Sequence, residues 1–345
     1  MTDKPDIETV EDIRRLLAAL PGLDVAARDA ARAREPQLTK PPGALGRLEE
    51  IAEWLAGWQG RHPPQVEQVR VRVFAANHGV VEKGVSAYPA AVTAQMVANF
   101  EAGGAAVNQL AAVADAKLGV VALELDNPTA DFTQGPAMSE AEFAAAFRAG
   151  MESLLAEEPT DLVCVGEMGI GNTTAAAAVC LGLYGGAAHD WTGPGTGVAG
   201  AALDLKIGVV GEAVRFHARG SAGDGLEVLR RLGGRELAAM AGAISAARLA
   251  RVPVLLDGFV AGAAAAALEV AQPGALDHCL AAHVSAEPGH RRLLEQLGKA
   301  PLLDLGMRLG EASGAALAIS IVRAAAACHA GMATFAEAGV SDKDK

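Results

Sequence analysis

Apolar positions recur at helical spacing through the first sixty residues. Ile13, Leu16, Leu17 and Leu20 share one face of residues 8–20, and a short charged stretch covers 24–34. Leu45, Leu48, Ile51, Ala52 and Leu55 then mark a third helix over 44–58. No strand-like run interrupts them, so the N-terminus reads as a helical layer. The pattern changes at residues 69–75, an apolar run with alternating arginines that predicts a strand. Similar short runs follow at 118–123, 161–165, 252–256 and 276–280, separated by helical segments that include 89–101, 139–156, 173–183, 203–217 and 235–249. This alternation predicts an α/β fold, with a parallel sheet joined by right-handed crossovers and flanked by helices on both faces. Residues 311–337 read as one long, alanine-rich helix and 341–345 as a solvated tail.

Composition narrows the function classes. The chain has 345 residues, 29 Lys+Arg against 41 Asp+Glu, and a net charge of −12. It has no basic run and only 4% aromatics, which argues against nucleic-acid binding by phosphate neutralisation or base stacking. An apolar fraction of 51% excludes disorder. Cys164, Cys180, Cys279 and Cys328 are widely spaced, the pattern of reduced, buried thiols rather than a disulfide or zinc framework. The polar, acidic residues 1–11 do not read as a signal peptide. The apolar stretches 252–271 and 312–336 are interrupted by Asp257, Glu269 and Arg323, so they read as core elements rather than membrane spans. A cytoplasmic protein is the expectation.

Candidate chemistry falls just after the strands, where open parallel sheets bind ligands. G-E-M-G-I-G-N-T-T at 166–174 follows the third strand and opens a helix. Its glycines free backbone N–H groups at a helix N-terminus, which suits an anion such as phosphate. The alternative is a tight turn with close helix–strand packing. A second glycine loop, G-P-G-T-G at 193–197, precedes a helix carrying Lys206, either a solvated charge or a phosphate partner. Asp257 in D-G-F follows the fourth strand and could contact a ribose or cap the next helix. His278, His283, Glu287 and His290 cluster in sequence, but their spacing fits no one helical face and no metal motif. The loop at 77–89 carries His78, Ser86 and Tyr88 and opens a helix containing Gln95. Glu337, in M-A-T-F-A-E-A-G, ends an apolar stretch; such surroundings raise a carboxyl pKa and suit a general base, and a surface glutamate is the alternative.

Together these segments resemble the nicotinate-nucleotide–dimethylbenzimidazole phosphoribosyltransferase family of cobalamin assembly. The resemblance runs from K-P-P-G at 40–43 and L-G-R-L-E at 45–49 to the Glu337 segment. It includes H-G-V at 78–80, G-V-S-A-Y-P at 84–89, V-T-A-Q-M-V at 92–97 and the long, specific G-E-M-G-I-G-N-T-T. It also takes in G-T-G at 195–197, D-G-F at 257–259, S-A-E-P-G-H at 285–290 and L-G-M-R-L-G-E at 305–311.

The resemblance implies transfer of phosphoribose from nicotinate mononucleotide to 5,6-dimethylbenzimidazole, by a homodimer without metal or cofactor. It implies a large α/β domain over 65–310 and a smaller helical domain from 1–60 and about 311–345. The leaving pyridinium departs neutral, whereas the entering benzimidazole must lose its N–H proton, so one general base is needed. The resemblance places that base at Glu337, with Glu167 near the ribose. It assigns Ser86, Tyr88, Gln95 and Met168 to the benzimidazole slot. Gly169, Ile170, Gly171, Asn172, Thr173, Gly195, Thr196, Gly197 and Lys206 would hold phosphate or ribose, with Asp257, Ser285, Gly289 and His290 on the nucleotide side. Asn77, Pro194, Ala199 and Gly200 depart from the family pattern, and no role is carried over to them. Two rivals remain: the same scaffold serving another lower-ligand base, and a non-catalytic nucleotide sensor.

Overall fold

A computed structural model describes residues 7–155 and 159–341; positions 1–6, 156–158 and 342–345, including the predicted helix end at Ala156 and most of the tail, lie outside the described residues. Three helices come first: α1 (Val10–Ala18), α2 (Val25–Arg34) and α3 (Arg47–Gln59). The chain then runs β1 (Val69–Ala75), α4 (Ala91–Glu101), α5 (Ala106–Val113), β2 (Lys117–Ala122), α6 (Glu140–Leu155) and β3 (Leu162–Met168). Five helices follow: α7 (Asn172–Tyr184), α8 (Ala188–Trp191), α9 (Ala201–Ser221), α10 (Gly225–Leu232) and α11 (Arg235–Leu249). The last elements are β4 (Val254–Leu256), α12 (Phe259–Ala271), β5 (Cys279–Ala281), α13 (Pro288–Gln296), α14 (Ser313–Gly331) and α15 (Phe335–Ala338).

The strands form one parallel sheet in the order β2-β1-β3-β4-β5. Strand alternation divides the core in two. Val69, Val71, Val73, Leu162, Cys164 and Leu255 face a cluster built with α3, α5 and α14. Phe74, Val163, Val165, Val254 and Leu256 face the opposite cluster, built with α6, α7, α11 and α12. Both faces are covered, which is why β1, β3 and β4 are buried almost end to end.

The N-terminal helices do not form one layer. Helices α2 and α3 pack on each other, and α3 packs on α14, whereas α1 lies across the sheet against α6 and α12. The predicted single helix over 311–337 is also divided. Glu311 and Ala312 both have positive φ, so helical backbone begins only at Ser313, and Thr334 caps a separate short turn. Helix α14 is long and apolar enough to cross a membrane, but Ala315, Ala318, Ile319 and Val322 are buried against the sheet cluster.

From β1 the chain crosses to β2 on one side and later returns to β3 on the other. The strand order therefore reverses beside β1, and loops at the carboxyl ends diverge there to leave a crevice.

Candidate active site

The crevice is a cavity of about 660 Å³, lined by residues from the ends of β3, β4 and β5 and from the segment ahead of α14. Its floor is the turn after β3. Gly166 has no room for a side chain: a Cβ there would stand 2.1 Å from the Ala312 amide nitrogen. That close approach lets the Glu311 amide donate to the Glu167 carbonyl at 3.1 Å, which brings both carboxylates to the cavity wall. Gly171, at φ +93°, starts α7, and the Ile170 amide donates to Thr93 Oγ1 at 3.1 Å, fixing the loop to α4.

Ten of the expected residues line this cavity: Tyr88, Glu167, Met168, Gly169, Ile170, Asn172, Thr173, Gly195, Thr196 and Ser285. Ser86 lies at the rim, its hydroxyl 3.2 Å from that of Thr196. Helix α4 presents Val92 and Met96, one turn apart, rather than Gln95, whose side of the helix is exposed. Gly171 and Gly197 shape the loops without lining the cavity, and Gly289 lets α13 close on the Trp191 carbonyl and the Phe259 ring. His290 accepts the Ser285 amide at Nδ1, 2.7 Å, so its proton sits on Nε2; burial pushes its pKa down to about 3. His278 is likewise buried, hydrogen-bonded to the Ile244 carbonyl in the core. His78 forms a buried pair with Glu236 at 2.5 Å, behind the glycine turn.

Three placements differ from expectation. Glu337 is exposed and does not reach the cavity; it is the N3 residue of a capping box, accepting from the Thr334 amide and hydroxyl. Those bonds lower its pKa instead of raising it. Asp257 faces away from the cavity, beneath α14, where its carboxylate accepts the Ala315 amide at 2.9 Å. Lys206 is buried behind Gly195, donating to Thr173 Oγ1 at 2.8 Å and to the Gly193 carbonyl at 3.0 Å. Its charge lies under the second glycine loop, and the cation that does line the cavity is Arg308, which donates to the Gly195 carbonyl at 2.9 Å.

Sequence reasoning also passed over Glu287 and Glu311 as site residues, although both stand in the quoted family strings and line the cavity. Burial raises Glu311 to about 7. Glu167 is pushed well above the usual carboxylate range by burial, with the charges of Glu236 and Asp257 adding to it, while Asn172 donates to its Oε2 and opposes the shift. Burial also raises Asp257, to about 7, against the pull of the α14 amides. Glu236, Asp257 and Glu311 thus each disfavour ionisation of Glu167, and Glu311 also disfavours that of Asp257.

A phosphoribosyltransferase family profile matches residues 20–340. The nicotinate-nucleotide–dimethylbenzimidazole phosphoribosyltransferase of Ruegeria sp. (strain TM1040) is 62% identical over 98% of this chain and 99% of its own length. The enzyme of the same name from Rhizobium meliloti (strain 1021) is 63% identical over 97% and 98%. The chain belongs to this phosphoribosyltransferase family. The crystal structure of CobT from Thermus thermophilus superposes with a TM-score of 0.87 at 45% identity, covering 92% of this chain and all of that one. The family's fold is therefore that of the parallel sheet described above, and the cavity lies at its carboxyl edge, the side on which open parallel sheets bind ligands.

Proposed function

We propose that the chain transfers the phosphoribosyl group of nicotinate mononucleotide to 5,6-dimethylbenzimidazole, releasing nicotinate and α-ribazole 5′-phosphate. The observation that carries this is Glu311: a cavity-lining carboxylate, raised to about 7, on a backbone turn locked to β3. Attack on the anomeric carbon needs a group that removes the benzimidazole N–H proton, and a base titrating near neutrality is suited to it. Glu311 takes the role first expected of Glu337. Tyr88, Val92, Met96 and Met168 supply an apolar slot for a flat bicyclic base. Thr173, Thr196, the Gly195 loop and Arg308, with Lys206 beneath, receive the 5′-phosphate. Glu167 stands beside the base, placed to meet a ribose hydroxyl. Displacement from the opposite face inverts the anomeric centre.

The working form is a cytoplasmic homodimer. Exposed Tyr88, Leu205, Leu305 and Leu309 support an apolar contact surface, and four unpaired cysteines suit a reducing compartment. The test is incubation of purified protein with nicotinate mononucleotide and equimolar dimethylbenzimidazole, adenine and a phenol, followed by chromatography. Formation of α-ribazole 5′-phosphate ahead of the other products is expected. Nucleotide binding with no product would instead favour the sensor reading.

A further inference from the structure

The backbone that carries Glu311 is strained. Glu311 and Ala312 take φ values of +62° and +60°, a conformation that residues with a β-carbon keep only where surrounding contacts hold it. Gly166 gives this turn its room, and the bond from the Glu311 amide to the Glu167 carbonyl holds it from one side. On the other side α14 begins without a cap of its own, since Ala312 at the N-cap position has no side-chain oxygen to offer.

The missing oxygen comes from another element. Asp257 stands at the end of β4, 2% exposed, and its Oδ1 accepts the amide of Ala315, the third residue of α14, at 2.9 Å. That is the bond an N-cap side chain makes. The Gly314 and Ala312 amides also donate to this carboxylate. The Ala312 amide belongs to the peptide unit that joins it to Glu311, so the carboxylate grips the strained turn itself. Gly314 permits the approach: a Cβ there would stand 2.1 Å from His283 Cδ2, which packs on the same helix start. Among the described residues no lysine or arginine pairs with Asp257, and His283 Nε2 stands 3.6 Å away. The buried carboxylate is therefore matched to the positive end of α14. We propose that Asp257 is a positioning residue for Glu311: it caps α14 from the end of β4 and so holds the strained turn that presents the base to the cavity. The proposal rests on the reading of Glu311 as the base given above.

The experiment is a double-mutant cycle on the full chain: wild type, Asp257→Asn, Glu311→Gln and the double variant, with kcat and KM measured for nicotinate mononucleotide and dimethylbenzimidazole at pH 8. Asparagine fits the space but loses the charge and turns an NH₂ group toward the amides. Asp257→Asn should lower kcat by about 10–100-fold, the cost of a misplaced reacting group, and leave both KM values within about threefold of wild type. The double variant should match Glu311→Gln within about threefold, because a residue that acts through Glu311 then has nothing left to position. A further loss of about 10–100-fold in the double variant overturns the proposal, since Asp257 would then act independently, through its charge. Wild-type kcat in Asp257→Asn also overturns it, as does a rise of both KM values beside the fall in kcat, which would mean general damage to the site. Val322→Ala weakens the packing of α14 further along and should keep wild-type kcat; a loss equal to that of Asp257→Asn would make helix stability alone the cause and overturn the proposal. If the asparagine variant does not fold, Asp257→Thr, a smaller uncharged cap, takes its place in the cycle with the same expectations. Glu311→Gln at wild-type kcat removes the base reading itself. A slow Glu311→Gln beside an unimpaired Asp257→Asn removes only the role of Asp257.

Discussion

Replacing Glu311 with glutamine keeps the side chain's shape at the cavity wall but removes the proton acceptor. Two readouts should then move in opposite directions. Turnover should fall by roughly 10²–10⁴-fold, the range for loss of a positioned general base. Stability should rise. Burial raises the Glu311 carboxyl to about 7 from an ordinary value of 4.5. Ionising it in the fold therefore costs about 3 kcal/mol, discounted to about 2 because the group opens on a solvated cavity. The sign follows from that direction: this cost is absent below pH 4.5, grows as pH rises toward 7, and is complete above it. Glu311→Gln should thus melt roughly 2–4 °C above wild type at pH 8 and equal to it at pH 4.5. In wild type, turnover should fall below about pH 7 as the base is protonated. Single-turnover rates with saturating nucleotide and dimethylbenzimidazole, beside melting curves at the two pH values, provide the test. A variant with wild-type turnover refutes the base assignment; one that loses activity and stability together shows a structural role instead.

The other predictions use neighbouring residues. Glu337→Gln should leave turnover within about twofold of wild type, because the side chain is a surface cap; a loss comparable to that of Glu311→Gln in the same assay would reinstate it as the base. Gly166→Ala should destabilise the fold by roughly 2–4 kcal/mol, since its Cβ would meet the Ala312 backbone at 2.1 Å; denaturant curves within about 1 kcal/mol of wild type would contradict that close approach. Lys206→Met should raise the KM for nicotinate mononucleotide by about 10–100-fold and leave that for the riboside unchanged. Equal shifts for both substrates would mean that the lysine holds the loop rather than the phosphate.

Much of the fold is legible in the chain because a sheet covered on both faces demands uninterrupted apolar strands. The run that follows Asp161 carries that signature and became β3, whereas residues 69–75 became β1 with Arg70 and Arg72 buried between the valines. Boundaries moved where backbone geometry decided them. Strand β4 begins at Val254, not at 252, because Arg251 takes positive φ and Pro253 has no N–H to donate, though its carbonyl still accepts the Val163 amide. Strand β5 starts at Cys279 because Glu269 accepts the Gly274 and Leu276 amides and holds the preceding residues in a turn. Neither effect has a hydrophobic period to announce it.

The two glutamates near the C-terminus mark where a one-dimensional reading of the site stops. Glu337 sits among apolar letters, yet T-F-A-E is itself the spacing of a capping box, a local signal for an exposed helix start. That signal was available and outranks the apolar neighbourhood. Glu311 offers no such sign. Its place depends on Gly166, distant in sequence, having no side chain, and on two consecutive positive-φ residues that halt the helix before Ser313. A β-carbon on Gly166 would push the Ala312 turn off the end of β3, and Glu311 would leave the cavity with it. The acidity of Glu311 is thus fixed by a backbone contact, and the residue that controls it carries no functional group.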